Sequence, residues 1–211
     1  MSSGRILSVN VGRPQQIAVR RGRPLMSAIG KTPVAGRVRV DGINLAGDAQ
    51  ADRRVHGGPD KAVYAYACED TRWWAGELGR DLVPGAFGEN LTLEGVEVTR
   101  ALVGERWRAG TVELEVCQPR LPCAKLGIAF ADPLMVRRFG EGARPGAYLR
   151  ILAEGELGAG DAVEVLHRPA HDVTVELVSR AILLDDSLLE HAASAPELPA
   201  ELAEWMRERA A

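Results

Sequence analysis

The chain has 211 residues, of which 46% are hydrophobic and 26% are charged, and its formal net charge is −3. These proportions are ordinary for a soluble globular protein that can bury a good core. The charge gives no reason to expect a nucleic-acid partner or an anionic-membrane partner. No apolar run approaches the length that spans a bilayer, and the first residues lead into strand-like sequence without a signal-peptide apolar region. A cytoplasmic location is therefore expected.

Short strands separated by glycine-rich turns dominate the first 167 residues. Several of them alternate apolar and polar residues, which is the period of a half-buried strand. The predicted strands are 6–11, 16–21, 37–40, 62–67, 91–93, 105–108, 111–117, 148–152 and 162–166, and the predicted helices are 69–78 and 131–139. The 23 glycines and the regular turn signals favour a mainly β fold, a barrel with a few peripheral helices, over a βαβ sheet.

The pattern becomes helical near the end of the chain. Helices are predicted over 173–184, 187–193 and 199–209, and Pro199 suits a first helical turn. We therefore predict a barrel domain over 1–168 and a three-helix C-terminal extension over 169–211. The extension is too small to fold alone, so it is expected to pack on the barrel or on a second subunit, which leaves a homodimer open.

The most informative segment is the loop that follows the strand 111–117. Pro119 and Pro122 cannot continue a sheet ladder, so the chain is expected to leave the sheet here. The loop then presents Cys123 beside Arg120 and a lysine. Cationic neighbours and a nearby helix start favour the thiolate, the form of cysteine that attacks electrophiles and binds soft metals. Cys123 is therefore the candidate catalytic residue and metal ligand.

The other two cysteines are predicted to be structural. Cys117 lies within a strand, and Cys68 lies at a junction between a strand and a helix. Three cysteines cannot all pair, and no two of them have the spacing of a zinc knuckle. A reducing compartment is the natural expectation.

Three polar, glycine-rich segments are candidates for a binding pocket, because loops of this kind commonly carry function. They are 47–61, 85–91 and the cysteine loop with 144–150 downstream. Glycine lets backbone N–H groups approach a phosphate, and a neighbouring lysine or arginine supplies charge. The candidates to hold a phosphorylated cofactor are His56, Lys61, Arg120, Arg144 and Arg150. Asn90 offers a donor and an acceptor to a planar heterocycle.

The motifs Gly47-Asp48-Ala49-Gln50, His56-Gly57-Gly58-Pro59-Asp60-Lys61, Phe87-Gly88-Glu89-Asn90-Leu91 and Gln118-Pro119-Arg120-Leu121-Pro122-Cys123 occur in this order. As a set they resemble the MOSC domain, the module named for the C-terminal part of molybdenum-cofactor sulfurases, and within it the bacterial YiiM-like proteins. The resemblance covers nearly the whole chain. It implies a β-barrel that binds the molybdenum cofactor (molybdopterin), with Cys123 as the ligand to molybdenum.

The resemblance also implies an activity, the reduction of N-hydroxylated bases and other hydroxylamines to amines. Electrons would come from an external reductase, a flavin or iron–sulfur protein, because the chain carries no flavin, haem or iron–sulfur signature of its own. The substrate would be a small hydroxylated nitrogen compound.

Two other functions remain open from the sequence. One is a sulfur carrier in which Cys123 holds a persulfide for a metal–sulfur centre or a cofactor. The other is a cofactor-binding module without turnover. Pyridoxal phosphate is not expected, because neither Lys61 nor Lys125 lies in a convincing strand–helix context for a Schiff base.

Overall fold

A computed structural model describes residues 4–51 and 57–211 of the chain. Within these ranges the chain forms thirteen strands. They are β1 (Gly4–Val11), β2 (Gln15–Arg20), β3 (Arg23–Ser27), β4 (Thr32–Pro33), β5 (Arg37–Asp41), β6 (Asn44–Leu45), β7 (Val63–Ala67), β8 (Leu91–Glu94), β9 (Arg106–Ala109), β10 (Val112–Pro119), β11 (Ala147–Ala153), β12 (Gly155–Gly158) and β13 (Ala162–His167).

Seven of these strands close into a barrel. Hydrogen-bonded neighbours run in the order β13, β9, β10, β11, β7, β8 and β1, and β1 pairs with β13 to complete the ring. Strands β7 and β8 run parallel, and the other pairs around the ring are antiparallel. The predicted mainly β barrel is confirmed.

Alternating side chains fill the barrel. Ile6 on β1, Trp107 on β9 and Leu114 on β10 are each at most 1% exposed. A second cluster, rich in aromatic side chains, joins the barrel wall to the helices beside it. Its buried members are Tyr64, Tyr66, Trp74, Phe87, Leu126, Phe130, Met135 and Phe139. This aromatic cluster forms the floor on which the candidate site is built.

The described ranges contain six α-helices. They are α1 (Cys68–Leu78), α2 (Ala124–Phe130), α3 (Met135–Glu141), α4 (Val175–Leu183), α5 (Leu189–Ala192) and α6 (Ala200–Ala210). Short 3₁₀ turns occur at Pro59–Lys61, Val98–Arg100 and Asp186–Leu188. None of the helices in the described ranges combines the length and the apolar character that a transmembrane segment requires.

The predicted helix over 131–139 is wrong in its extent. Two helices, α2 and α3, occupy this region. Ala131 takes a left-handed backbone conformation with φ of 50°, and its N–H bonds back to Ile128 and so ends α2. Asp132 then accepts a hydrogen bond from the Leu134 N–H at 2.8 Å, in the turn that leads to α3.

Outside the ring, the sequence predicts β2 and β5 but misses β3, β4, β6 and β12. Strands β2 and β3 form a two-stranded ribbon, and β12, β5 and β6 form a small separate sheet. Pro24 in β3 and the two glycines of β12 mask the usual strand signals, since proline and glycine are depleted in strands.

The C-terminal helices match the predicted extension and pack on the barrel. A cluster of buried apolar side chains joins α4, α5 and α6, and it includes Val103 from the barrel side. Backbone hydrogen bonds reinforce this contact, because the Val103 N–H donates to Val173 O at 3.0 Å and the Val175 N–H donates to Ala101 O at 3.0 Å. The division at residue 168 remains a prediction, since the two parts share this core.

Candidate functional site

A cleft lies where the candidate loops meet the segment that follows the ribbon. It encloses about 650 Å³ of space, including its open mouth. It is lined by Ser27, Ala28, Ile29, Lys31, Asp48, Ala49, Gln50, Ala51, Lys61, Tyr64, Phe87, Gly88, Asn90, Arg120, Cys123, Lys125 and Tyr148. Parts of all three predicted segments therefore share one cleft.

Cys123 lies at the cleft wall, where the chain leaves the barrel. Pro119 is the last residue of β10, so the expected departure from the sheet occurs there. Cys123 itself takes the N-cap position of α2 with an extended backbone, and its carbonyl oxygen accepts the Leu126 N–H at 2.9 Å. The side chain is partly exposed to solvent. A thiol in this position can reach a ligand in the cleft without any movement of the barrel.

The other two cysteines lie elsewhere and are buried. Burial raises the pKa of the Cys117 thiol to about 12 and that of the Cys68 thiol to about 11. Both side chains are therefore protonated thiols near neutral pH, as expected of structural cysteines.

Arg120 is the cation most deeply placed in the cleft. It is 6% exposed, and its guanidinium carbon lies 5.0 Å from the ring centre of Phe139 and 6.0 Å from that of Tyr64. Its buried Nη1 has no hydrogen-bond partner among the described residues. Leaving a buried charged donor unpaired is costly, and an anion in the cleft would supply the missing acceptor.

Gln50 also brings a buried polar atom to the cleft without a hydrogen-bond partner in the described part of the chain. Its buried Oε1 also lacks a hydrogen-bond donor among the described residues. An amide oxygen accepts hydrogen bonds, so the cleft offers an unpaired acceptor as well as an unpaired donor. A ligand that carries both anionic and N–H groups fits this donor set.

A buried ion pair between Lys31 and Asp48 forms a further wall, and the sequence analysis did not assign Lys31 a role. Both side chains are at most 9% exposed. Burial lowers the pKa of the Lys31 ammonium, whereas Asp48 opposes that shift. Asp48 also accepts the Gly12 N–H at 2.7 Å and the Asn90 Nδ2 at 2.9 Å. The only sequence signal was that Lys31 is one of three lysines in the chain.

Asn90 lines the cleft, but protein groups already use its amide. Its Oδ1 accepts the Tyr64 N–H at 3.1 Å, and its Nδ2 donates to Asp48 and to the Asn10 carbonyl at 3.3 Å. The side chain thus ties β7, β1 and the Lys31–Asp48 pair together. These contacts support a structural role for Asn90 in the cleft wall. They give less support to the predicted direct contact with a heterocycle.

The loop before Asn90 is held by a buried carboxylate. Glu89 is fully buried and accepts hydrogen bonds from the Gly85 N–H at 2.6 Å and from the Phe87 N–H at 3.0 Å. The Thr92 hydroxyl donates to it at 2.9 Å. Burial raises the pKa of the Glu89 carboxyl, and these donors oppose the shift. Glu89 therefore fixes the shape of the loop that forms one side of the cleft.

Lys61 reaches the cleft from the 3₁₀ turn Pro59–Lys61. This turn follows Gly58, whose φ of 98° is a left-handed conformation that favours glycine. The cleft thus combines Lys61 with Arg120 and Cys123, as the sequence suggested. His56, the remaining candidate of this segment, lies outside the described residues.

Two predicted arginines lie away from the cleft. Arg144 pairs with the buried Asp70 and stacks over Trp73, with 4.6 Å between its guanidinium carbon and the ring centre. Arg150 donates to Asp60 at 3.0 Å and to Glu115 at 3.0 Å. Their positions give no support to the prediction that they hold a cofactor, because their guanidinium groups are used in ion pairs within the protein.

The described residues of the cleft do not form a metal site with several protein ligands. Among residues 4–51 and 57–211, no group of three or more His, Cys, Asp or Glu side chains is arranged to hold a metal ion. The donor set consists instead of one partly exposed thiol and several cationic side chains. These side chains suit a bulky anionic ligand that can also bind one cysteine sulfur.

Comparisons with known proteins place this chain in a family. The MOSC domain matches residues 52–164 of the chain. The chain is 37% identical over 175 residues to the uncharacterised protein YflK of Bacillus subtilis, a match that covers 83% of this chain and 79% of YflK. A protein of Gibberella moniliformis named Reductase is 32% identical over 200 residues, which are 93% of this chain and 35% of that longer protein.

A solved structure agrees in fold over the whole chain. The crystal structure of YiiM from Geobacillus stearothermophilus superposes with a TM-score of 0.80 at 30% identity, covering 99% of this chain and 100% of that one. The family match, the identity to YflK and the common fold agree with each other. The chain belongs to the MOSC domain family and is YiiM-like within it.

Proposed function

We propose that this protein binds the molybdenum cofactor in the cleft and reduces N-hydroxylated bases and related hydroxylamines to amines. The observation that carries the proposal is that one cleft is lined both by Cys123 and by Arg120, whose buried Nη1 has no partner among the described residues. MOSC family membership associates the chain with molybdenum-cofactor chemistry, and a relative bears the name Reductase.

The residues of the cleft fit such a cofactor. Its phosphate is an anion that Arg120 and Lys61 can hold, with Arg120 offering the unused N–H donors of a planar fork. Its pterin ring carries N–H groups that can donate to the unpaired Gln50 oxygen. A Cys123 thiolate can then bind the metal, since soft sulfur ligands suit such centres. When bound, the cofactor supplies the two-electron chemistry, and the protein supplies orientation.

The proposed reaction breaks the N–O bond of a hydroxylamine. Two electrons come from an external flavin or iron–sulfur protein, two protons come from solvent, and the products are the amine and one water molecule. Tyr64 and Tyr148 lie at the cleft, and burial raises the pKa of both phenols, so their O–H groups are neutral near pH 7. Because both phenols are neutral, they add no negative charge to this wall of the cleft.

The first test is the metal and pterin content of protein purified anaerobically from a host that makes the cofactor. We expect wild type to carry near-stoichiometric molybdenum and Cys123→Ala to lose it, because the variant removes the proposed metal ligand. Cys68→Ala is the matched control, since Cys68 is buried outside the cleft. Equal molybdenum in all three proteins would refute the ligand assignment.

The second readout is turnover of an N-hydroxylated purine with reduced methyl viologen as a small electron donor. Wild type and Cys68→Ala should form the amine, and Cys123→Ala should not. If the cofactor is bound but no amine forms, the protein is a cofactor-binding module. If no cofactor is bound and Cys123 carries labile sulfur, the sulfur-carrier function replaces this proposal.

A further inference from the structure

The ribbon formed by β2 and β3 carries a concentrated positive charge in a chain that is acidic as a whole. The first 40 residues contain seven arginines and one lysine and no aspartate or glutamate, whereas the full chain has 29 acids against 26 lysines and arginines. Several of these early cations are neutralised by acids from later in the chain. Arg5 pairs with Glu94 at 2.6 Å, and Arg37 pairs with Asp161 at 3.1 Å.

The tip of the ribbon is different. Arg20, Arg21 and Arg23 are exposed, and among the described residues no carboxylate lies within ion-pair distance of any of them. Arg20 and Arg23 are direct cross-strand partners, an arrangement in which like charges repel. Arg21 and Gly22 form the turn between them, with φ of 49° and 72°. Three arginines are therefore crowded on one tight turn, and no carboxylate among the described residues balances their charge.

The ribbon also borders the cleft. Ser27, its last residue, lines the cleft, and β2 packs against α2, the helix that begins directly after Cys123. The step from Arg23 to Ser27 spans about 13 Å along an extended strand. A macromolecule held at the tip would therefore lie beside the mouth of the cleft.

The composition of the ribbon indicates a protein partner. Val19 is 63% exposed and Met26 is 40% exposed, and both lie among the arginines. Arginine and methionine together with exposed apolar surface are typical of protein interfaces. An extended polyanion would meet the acidic remainder of the chain, whereas a compact partner with a local acidic patch would meet only the ribbon.

We propose that the ribbon is the docking surface for an acidic electron-donor protein, which delivers its electrons at the adjacent cleft. The inference rests on the proposed function, because the reduction needs two electrons from outside the chain. Charge complementarity of this kind accelerates encounter and orients the partner, and salt weakens it.

The test compares the cofactor-loaded wild type with the triple variant Arg20→Gln, Arg21→Gln, Arg23→Gln. The matched control is Arg72→Gln, Arg100→Gln, Arg137→Gln, which removes the same charge at exposed arginines elsewhere. The probes are reduced flavodoxin and reduced [2Fe–2S] ferredoxin of acidic net charge. Their dissociation constants, and the rates of amine formation that they support, are measured at low and at high salt.

We expect the ribbon variant to bind at least one of the two probes about tenfold more weakly at low salt and to react correspondingly more slowly with it. The control should behave like wild type, and all three proteins should react equally with reduced methyl viologen, which needs no docking surface. The proposal would be overturned if the ribbon variant and the control lost probe binding equally. It would also be overturned if the ribbon variant bound both probes as tightly as wild type does.

Different results would refute the proposed function and the docking proposal. If the wild type forms no amine with methyl viologen, the proposed function is wrong whatever the ribbon does. If methyl viologen supports turnover and the ribbon charges affect binding of a single-stranded oligonucleotide but of neither protein, the ribbon binds nucleic acid and the docking proposal is wrong.

Discussion

At the scale of single residues, the Lys31–Asp48 pair does most to hold the wall of the cleft. Asp48 accepts from Lys31, from the Gly12 backbone and from Asn90, so one carboxylate joins several segments. Removing one partner of a buried ion pair leaves the other charge uncompensated, and this costs more than the pair itself contributes.

We therefore predict that Lys31→Met lowers the free energy of unfolding by about 3–5 kcal/mol. The double variant Lys31→Met, Asp48→Asn should lose less than the sum of the two single variants, because it leaves no unpaired charge. Urea denaturation of the four proteins measures this coupling. Additive losses would show that the two side chains stabilise the fold independently.

Single residues also show how much of the candidate site can be predicted from the sequence. Arg120 and Cys123 are predictable because a proline-rich turn after a strand places both on a loop, whereas the burial of Arg120 is seen only in the structure. The sequence assigns Lys31 no role, since its partner Asp48 lies 17 residues away and no local pattern marks the pair. Its partner Asp48 could equally have braced only its own turn.

At the scale of elements, the loop 85–91 depends on its close approach to the segment after the ribbon. Gly85 has a φ of 88°, and a Cβ built there would collide with the Lys31 carbonyl oxygen. Two requirements therefore meet at Gly85, a left-handed backbone conformation and contact with a neighbouring backbone.

Gly85→Ala is expected to cost about 3 kcal/mol or more, because backbone strain of about 1–2 kcal/mol is joined by a clash with main chain that cannot turn away. Gly36→Ala is the control, since Gly36 has a similar φ of 80° and open space around it. Thermal and urea denaturation should show the smaller loss for Gly36→Ala. Equal losses in the two variants would mean that the loop shifts without penalty.

The sequence predicts well those elements that have a clear alternation of apolar and polar residues or a clear signal at their ends. The sequences of β1, β9, β10 and β13 alternate apolar and polar residues in part, and the helices of the extension carry an apolar face. The sequence predicts a helix start after Cys123 but not the extent of α2, because the helix has only seven residues and ends at a left-handed alanine, which no sequence rule anticipates. The ribbon was half missed, because Pro24 lowers the strand signal of β3.

At the scale of the whole molecule, the barrel and the C-terminal extension share buried surface. Val103 joins the apolar cluster of the extension, and Met206 of α6 is fully buried within that cluster. Arg150 on β11 adds a link, because its Nη2 donates to the Glu197 carbonyl at 3.3 Å. We therefore expect the two parts to unfold together.

Met206→Ala should destabilise the protein by about 2–5 kcal/mol while unfolding remains a single transition. Far-UV circular dichroism follows the helices, and fluorescence measured in a Trp205→Phe background reports on the barrel, which holds the buried Trp107. Glu204→Ala, at an exposed position on the same helix, should change stability little. Separate dichroism and fluorescence midpoints would show instead that the extension unfolds on its own.

The sequence by itself determined the fold class, the helical extension and the loop that presents Cys123. These follow from local periodicity, from proline and glycine chemistry and from motif spacing, all of which act between near neighbours. Only the tertiary structure decided which cations share the cleft with that thiol. The tertiary fold brings Lys31 and Lys61 into the same cleft as Arg120, whereas Arg144 and Arg150 pair with carboxylates elsewhere. The reason is physical, because an arginine binds the nearest available carboxylate in space, and chain order does not specify which one that is.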